Sequence, residues 1–364
     1  MCLELVSILY DSNKLLPREA SFYQNAIQAI EEDGTSSQFY FLLKQQGRLD
    51  QTPAFFQQFL KQQYEQSLFL NLFIKQQTEQ LLKCFESQEI AVIPLKGVYF
   101  AEKYFGHTGA RATSDIDLLI KQSDVNKAIQ LINSLGFYVE EEQIPGHFHC
   151  SFSKPLPNST IPLVVELHWS LVKEQTSRFS IEEIWQQATH IGQSNYIHEM
   201  SPNHTFYTIC LHGWRHNMNS MKYFFDILQV IQHDHQELDL VEIFQLAQSH
   251  ETFKRMHRTL SIVYLQFPFL EIMMKYPLKK RRTLWAYRPV KGFKMYLDFL
   301  DYQFLSYDKV KHSVIELGNW LWPSKYEMSN ELDLHAQGAS EGKMLLTLYK
   351  KRISGIFNRV SKSL

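Results

Sequence analysis

One short stretch of strand-forming sequence lies between two long helix-forming stretches, and this restricts the folds open to the chain. Residues 90–95 (IAVIPL) are an apolar run rich in β-branched side chains, which is typical of a buried strand. A helix over VNKAIQLINSLG, capped by Ser123 or Asp124, follows a second predicted strand at 115–120 (DIDLLI). Three more strands are predicted in FYVEEE, HFHCSFSK and LVVELHWSL, the last two as a hairpin. This order predicts a small α/β core with a mixed sheet.

The segments on either side have the apolar spacing of packed helices. Before the strands, apolar residues recur at intervals of three and four: Phe55, Phe56, Phe59, Leu60, Leu68, Leu70, Leu72 and Phe73. Helical periods return from Ile181 onward. We therefore predict an α+β fold with an N-terminal helical segment at 1–88, an α/β core at 89–175 and a C-terminal helical domain at 176–364.

The composition indicates a globular protein and excludes several other classes. The 364 residues are 45% hydrophobic and 21% charged, and the net charge of −1 argues against a surface devoted wholly to nucleic acid. Four separated cysteines (Cys2, Cys84, Cys150, Cys210) exclude a disulfide scaffold and a cysteine zinc finger. The N-terminus has no basic region before an apolar run, and no apolar stretch approaches about 18 residues. We therefore expect no signal peptide, no transmembrane segment and a cytoplasmic location.

Three carboxylates on predicted strands carry the strongest chemical signal. Asp115 and Asp117 are two residues apart, so they point to the same side of their strand. Glu166 lies on a later strand, where it shares a face with Val164 and His168. Two such carboxylates can hold one Mg²⁺ together with substrate phosphates, and a third can complete a two-metal site. The pattern favours a metal site for phosphate chemistry.

Lys96, Gly97 and Arg111 precede the aspartates and suit phosphate binding. A glycine at a strand-to-helix turn lets backbone N–H groups approach a triphosphate, and the two cations can contact its oxygens. Taken alone, each residue has an ordinary explanation as a turn or a surface charge. The order of strand, Lys-Gly, helix, Arg, Asp-x-Asp and later Glu favours a nucleotide site.

These motifs as a set resemble a known family. IPLKG, VYFAEKYF, SDIDLLI, VELHW, LHGWRH and FFDIL look like the uncharacterised nucleotidyltransferase family of the DNA polymerase beta superfamily, from about Leu42 to Leu270. The resemblance implies a minimal nucleotidyltransferase fold with an attached helical domain. It also implies that Asp115, Asp117 and Glu166 are catalytic metal ligands, with Glu166 helping to deprotonate the acceptor hydroxyl. Lys-Gly stands where the wider superfamily has Gly-Ser or Gly-Gly, and Val98 replaces a small hydroxyl residue.

The resemblance and the residues together imply an enzyme that moves an NMP from an NTP to an acceptor and releases pyrophosphate. Mg²⁺ is the expected cofactor, with Mn²⁺ as an alternative, and ATP is one candidate donor. We assign nucleotide binding to Lys96, Gly97, Arg111 and Ser114. The acceptor (a small molecule, a peptide, a protein or RNA) is expected to enter between the core and the C-terminal helices. The alternative is a catalytically inactive nucleotide-binding or helical interaction protein.

Several polar side chains in the helical and strand segments admit two interpretations. His168, His212 and Arg215 are candidates for the cleft, although Arg215 could instead form a buried pair with Asp226. The group formed by His147, His149 and Cys150 could ligate zinc, but a closed site needs four ligands and structural packing is the preferred interpretation.

Two basic segments follow the helical region. Residues 275–294 carry eight Lys or Arg and no acid, and residues 343–364 carry six and no acid. A solvated helix end is the default interpretation, and binding to RNA, an anionic lipid surface or an acidic protein is the alternative. The second segment has an apolar helical face that could contact a membrane surface, a partner or the helical domain: Leu345, Leu346, Tyr349, Ile353, Ile356, Phe357 and Val360.

Overall fold

The structure is a computed structural model, and it describes residues 2–11, 13–141, 148–156, 162–287, 293–332 and 340–360. It confirms the predicted α+β class, with a five-stranded mixed sheet between two groups of helices. The helices before the sheet are α1 (Cys2–Tyr10), α2 (Ala20–Glu32), α3 (Ser36–Gln45) and α4 (Ala54–Ser87).

The sheet combines antiparallel pairs with one parallel pair. Its strands are β1 (Val92–Pro94), β2 (Asp115–Ile120), β3 (Tyr138–Glu141), β4 (His149–Lys154) and β5 (Leu163–His168). They lie side by side in the order β1-β2-β5-β4-β3, and only β2 and β5 run parallel. The predicted hairpin is present as the antiparallel β4–β5 pair, and its loop at 157–161 lies outside the described residues. The parallel pair at the centre of the sheet joins the two strands that carry the acidic motif.

Helices dominate the rest of the chain. Two flank the β2 region, α5 (Val98–Phe100) and α6 (Val125–Ser134). After the sheet come α7 (Ile181–Gln187), the short pair β6 (Thr189–His190) and β7 (His198–Glu199), and then α8 (Pro202–Arg215), α9 (Met221–Asp234), α10 (Leu240–Ser249) and α11 (Phe253–Gln266). The last are α12 (Leu270–Met273), α13 (Phe293–Leu300), α14 (Val310–Leu321), α15 (Lys325–Leu332) and α16 (Glu341–Val360). Ser201 caps α8 by accepting a hydrogen bond from the backbone of His204, with Pro202 in the first turn.

Two apolar cores hold these elements together. On one face of the sheet, Ile116 and Leu118 of β2 pack with side chains of α4 and α6. The other core joins the N-terminal helices to the C-terminal helices, where the ring of Phe39 in α3 lies 5.0 Å from that of Phe225 in α9. The N-terminal helices and the helices that follow the sheet therefore bury each other, and the predicted boundaries at 88 and 175 stay a prediction.

The basic segments are partly neutralised within the described residues. Lys280 pairs with Glu271 at 2.7 Å, and Arg281 pairs with Asp301. In the tail, Met344 and Leu348 of α16 are buried against α15. Of the predicted apolar face, Leu346 is 57% exposed and side chains from 353 onward lie outside the described part of the chain, so a partner or membrane role for this tail stays a prediction.

Within the described ranges, no helix combines the length and apolar character needed to cross a lipid bilayer.

Candidate active site

The register of the parallel strands brings two acidic side chains together. Asp117 of β2 lies opposite Glu166 of β5, and both point away from the face that α4 covers. Farther along the same face, Leu119 is covered by Ile184 of α7. The alternation of apolar and acidic residues in DIDLLI and VELH fixes this arrangement, because side chains along a strand point to opposite faces in turn. The acidic end of β2 is thus separated from both apolar cores.

His168 links the two carboxylates. Its Nε2 lies 3.1 Å from Asp117 Oδ1 and 3.2 Å from Glu166 Oε2. Asp117 and His168 are buried, whereas the Glu166 side chain is 30% exposed. One ligand atom from each of the three lies within 4.8 Å of the others, a spacing at which they could hold one metal ion. Asp115 lies on the same face at the start of β2, half-buried, with its Oδ1 3.3 Å from Ser114 Oγ.

Lys96 and Gly97 form the turn that leaves β1. Lys96 Nζ lies 3.2 Å from Asp117 Oδ2 and 3.5 Å from His212 Nε2, so it connects the sheet to α8. Gly97 has φ +75°, and a Cβ at this position would come within 3.3 Å of Thr113 Cγ2. The turn needs glycine for both reasons. It places the ammonium group of Lys96 beside the carboxylates.

Arg111 is committed to a buried ion pair. Its Nε and Nη2 donate to the two carboxylate oxygens of Asp226 in α9 at 2.7 and 2.8 Å, and Arg111 is 2% exposed. Asp226 therefore pairs with Arg111 and not with Arg215, which is exposed and lies over the ring of Phe148 at 5.2 Å. The predicted contact between Arg111 and a triphosphate stays a prediction. In this structure Arg111 ties the loop before β2 to α9.

Comparison with known proteins gives one match. A sequence model of the family described as "uncharacterised nucleotidyltransferase" matches residues 23–268. The chain belongs to this nucleotidyltransferase family. No curated protein and no solved structure matches it. The matched range includes the whole sheet and helices α8 to α11, and it ends before α12.

Electrostatic effects at the acidic site separate the pKa values of the two aspartates. Burial raises the pKa of Asp117, but Lys96 and the hydrogen bond from His168 outweigh it and hold that pKa well below its usual range. For Asp115, burial and repulsion by Asp117 outweigh Lys96, and its pKa is raised. The hydrogen bond from His168 lowers the pKa of Glu166 against the effect of burial. A cation at this edge would offset the repulsion among the three carboxylates.

Two functional neighbours of this site have no motif that identifies them. Asn71 of α4 is buried, and its amide donates to the carbonyls of Thr108 and Arg111 at 2.6 and 2.7 Å while accepting from the Thr113 N–H at 3.1 Å. It therefore fixes the loop that carries Arg111. On α9, Arg111 and burial lower the pKa of Lys222 to about 8. A polar residue within the apolar face of a helix is the only sequence signal for Asn71.

The described residues of the suggested zinc group, His149 and Cys150, do not converge on one site. His149 and Cys150 are adjacent on β4 and so point to opposite faces, and His147 lies outside the described residues. The ring of His149 stacks on that of His168 with centroids 5.2 Å apart. Burial raises the pKa of the Cys150 thiol to about 12. Across the described ranges, Asp117, Glu166 and His168 are the one group of such side chains spaced to hold a metal.

A cavity of about 340 Å³ extends from Lys96 and His168, which contact the carboxylates, toward the C-terminal helices. Lys96, His168 and His212 line it near the sheet, and burial together with Lys96 holds the pKa of His212 well below its usual range. Trp214 of α8 lies on the wall of this cavity. The cavity occupies the junction at which acceptor entry is predicted.

Proposed function

We propose that this protein transfers an NMP from an NTP to an acceptor and releases pyrophosphate, with a divalent cation at the β2–β5 edge. The observation that carries the proposal is the pairing of Asp117 with Glu166 on parallel strands, beside the ammonium group of Lys96. Membership of a nucleotidyltransferase family supports it. ATP, as one candidate donor, and a cytoplasmic location remain parts of this proposal.

The donor atoms present fit a divalent cation. Oxygens of Asp115, Asp117 and Glu166 suit Mg²⁺, which prefers oxygen ligands. His168 adds a nitrogen at the same place, and imidazole is a ligand that Mn²⁺ accepts more readily than Mg²⁺ does. When bound, such a cation would neutralise negative charge on the triphosphate during transfer.

The remaining chemistry is assigned to side chains of this chain. The acceptor oxygen or nitrogen forms a bond to the α-phosphorus while the bond from that phosphorus to the bridging oxygen breaks, and pyrophosphate leaves with the electron pair. The acceptor proton passes to Glu166, the more exposed of the two paired carboxylates. Lys96 holds the phosphates, and Gly97 allows the backbone to approach them. Arg111 acts as a positioning residue by fixing the loop before β2.

The first experiment tests nucleotide binding and its dependence on Mg²⁺. Thermal unfolding is measured with ATP, GTP, CTP and UTP, with and without Mg²⁺, on the wild type, Asp117→Asn and the control Asp124→Asn, which lies just beyond β2. A nucleotide at 100 times its Kd adds about 2.7 kcal/mol of stability. We expect a Mg²⁺-dependent shift in the wild type and Asp124→Asn that Asp117→Asn lacks.

Labelled nucleotides then identify the group that is transferred. Label from the α-phosphate of the NTP should appear in product or in NMP, and label from the γ-phosphate should appear in pyrophosphate. Transfer of the γ-label, or full turnover by Asp117→Asn, would reject the proposal. Nucleotide binding without turnover would instead support the inactive nucleotide-binding alternative.

A further inference from the structure

Arg255 of α11 is a buried cation without an acidic partner. It is 1% exposed, and among the described residues no carboxylate forms an ion pair with it. Its guanidinium donates to the carbonyl of Thr176 and packs against two rings, 4.7 Å from the centroid of Trp214 and 4.5 Å from that of Tyr307. Its Nε has no hydrogen-bond partner in the described structure.

Arg258, on the same helix, shows the usual arrangement. It is fully buried, and it pairs with Asp298 at 2.7 Å and with Asp301 at 3.2 Å. A buried charge costs several kcal/mol unless a counter-charge and hydrogen bonds compensate it. Burial accordingly lowers the pKa of Arg255. Attraction to Asp308 and Glu316 offsets only part of the effect of burial, and in the described structure neither carboxylate forms an ion pair with Arg255. Unlike Arg258, Arg255 can therefore still accept a direct anionic partner.

Arg255 lies on the wall of the cavity that extends from Lys96 and His168. Lys96 and His168 line the same cavity, so a molecule inside it can reach both Arg255 and the reacting centre. The volume of about 340 Å³ is within the range of small-molecule sites and too small for a folded partner. Trp214 and Tyr307 give it aromatic walls beside the guanidinium.

We propose that this cavity binds the acceptor, and that the acceptor is a small molecule with an anionic group, phosphate or carboxylate, that pairs with Arg255. The inference rests on the proposed function only in so far as it identifies the bound molecule as the acceptor. The binding of a small anion at Arg255 does not depend on that function.

Two acidic residues argue that the cavity holds the acceptor and not the donor. Glu316 of α14, which is buried, and Glu327 of α15 line it along with Arg255. A triphosphate would meet repulsion from both carboxylates. A smaller molecule with one anionic group and several hydroxyl or amino groups would find a partner for each of them.

The cavity is lined by two parts of the chain, one inside the range that matches the family and one beyond it. Lys96, His168 and Arg255 lie within the range that matches the family, which ends at residue 268. Glu316 and Glu327 come from the helices after it. The anion contact therefore belongs to the matched region, and the carboxylate side of the cavity, which selects the rest of the acceptor, belongs to the C-terminal helices.

The test measures anion binding without nucleotide or metal. Calorimetric titrations with inorganic phosphate and with succinate, at constant ionic strength, compare the wild type with Arg255→Met and with Arg282→Met, an exposed arginine outside the cavity. We expect one anion to bind the wild type and Arg282→Met equally, and its Kd to rise 10- to 100-fold in Arg255→Met. The anion that binds more tightly identifies the group as phosphate or carboxylate.

Loss of folding in the variant can be distinguished from loss of anion binding. Methionine replaces an unpaired buried charge, so Arg255→Met should unfold at the same or a higher temperature than the wild type, and Arg255→Lys is the second variant if it does not fold. Equal anion affinity in the wild type and Arg255→Met, or no binding of either anion, would overturn the inference. Loss of the ATP-induced thermal shift in Arg255→Met would place the donor in the cavity and overturn the acceptor assignment. Anion binding through Arg255 with no response to any NTP would instead reject the proposed function.

Discussion

A single imidazole connects the two paired carboxylates of the site. Because His168 Nε2 lies within hydrogen-bond reach of Asp117 and Glu166, it either ligates the cation or orients the two groups that do. In both cases its removal leaves two neighbouring carboxylates without their shared partner. We therefore expect His168 to contribute directly to the proposed cation binding.

We predict that His168→Ala weakens Mn²⁺ binding about 10- to 100-fold, as measured by calorimetry in the absence of nucleotide. His198→Ala is the control, because His198 packs on Trp185 and takes no part in the carboxylate group. An unchanged Mn²⁺ affinity in His168→Ala would show that the cation binds elsewhere or through the aspartates alone.

At the level of single residues, the sequence predicts side chains whose role depends on local periodicity. Asp117 and Glu166 could be placed on one side of their strands because side-chain direction alternates strictly along a strand. The isolation of Arg255 could not be predicted, since it depends on which acids α11 meets after folding. The same holds for Asn71, whose three partners lie about 40 residues away in the chain.

Between elements, the Arg111–Asp226 pair is the main polar connection from the sheet to the C-terminal helices. Both side chains are buried, and the contact joins residues 115 positions apart in sequence. The sequence interpretation gives an Arg215–Asp226 pair as one of two alternatives, because the two residues lie on consecutive amphipathic helices. The observed partner of Asp226 is Arg111, because tertiary packing, which sequence periodicity does not encode, brings these two side chains together.

We predict that Asp226→Leu destabilises the protein by about 3–5 kcal/mol, because it leaves the Arg111 guanidinium buried and unpaired. The double variant Arg111→Met/Asp226→Leu should recover most of that loss, since it removes both charges together. Urea denaturation of the wild type, both single variants and the double variant measures the coupling. Additive losses in the double variant would contradict the interpretation of this contact as a mutually dependent pair.

Individual strands and helices depend on local sequence, whereas the order of the strands in the sheet depends on contacts between distant residues. The strand at 115–120 was predictable from its two-residue alternation, and the helix after it from local sequence, although Asp124 at the N-cap makes no side-chain capping hydrogen bond. The order β1-β2-β5-β4-β3 was not, because the parallel contact between β2 and β5 depends on how the intervening hairpin folds back.

At the scale of the whole molecule, two buried histidines couple stability to pH. His204 is 2% exposed and His250 is 1% exposed, and burial is the main cause that lowers the pKa of each. In the unfolded chain an imidazole takes up a proton near pH 6.5. The unfolded state therefore binds more protons below that pH, and these histidines make the folded state less stable as pH falls.

We predict that the urea midpoint of the wild type decreases between pH 7 and pH 5 and that His204→Gln decreases less steeply over this interval. The exposed His190 provides the control variant His190→Gln, which should follow the wild type. Identical slopes for the wild type and His204→Gln would remove His204 from the explanation.

The core shared by the N-terminal helices and α9 determines when this protein can fold during its synthesis. Phe39 in α3 packs on Phe225 in α9, and the ribosome must add the whole sheet before α9 emerges. At about 5–20 residues per second, that interval lasts roughly 10 to 40 s. Throughout it, the nascent α1 to α3 display the apolar faces that α9 will later cover. The opening helices must therefore wait until α9 has been made, and chaperones have that interval in which to protect them.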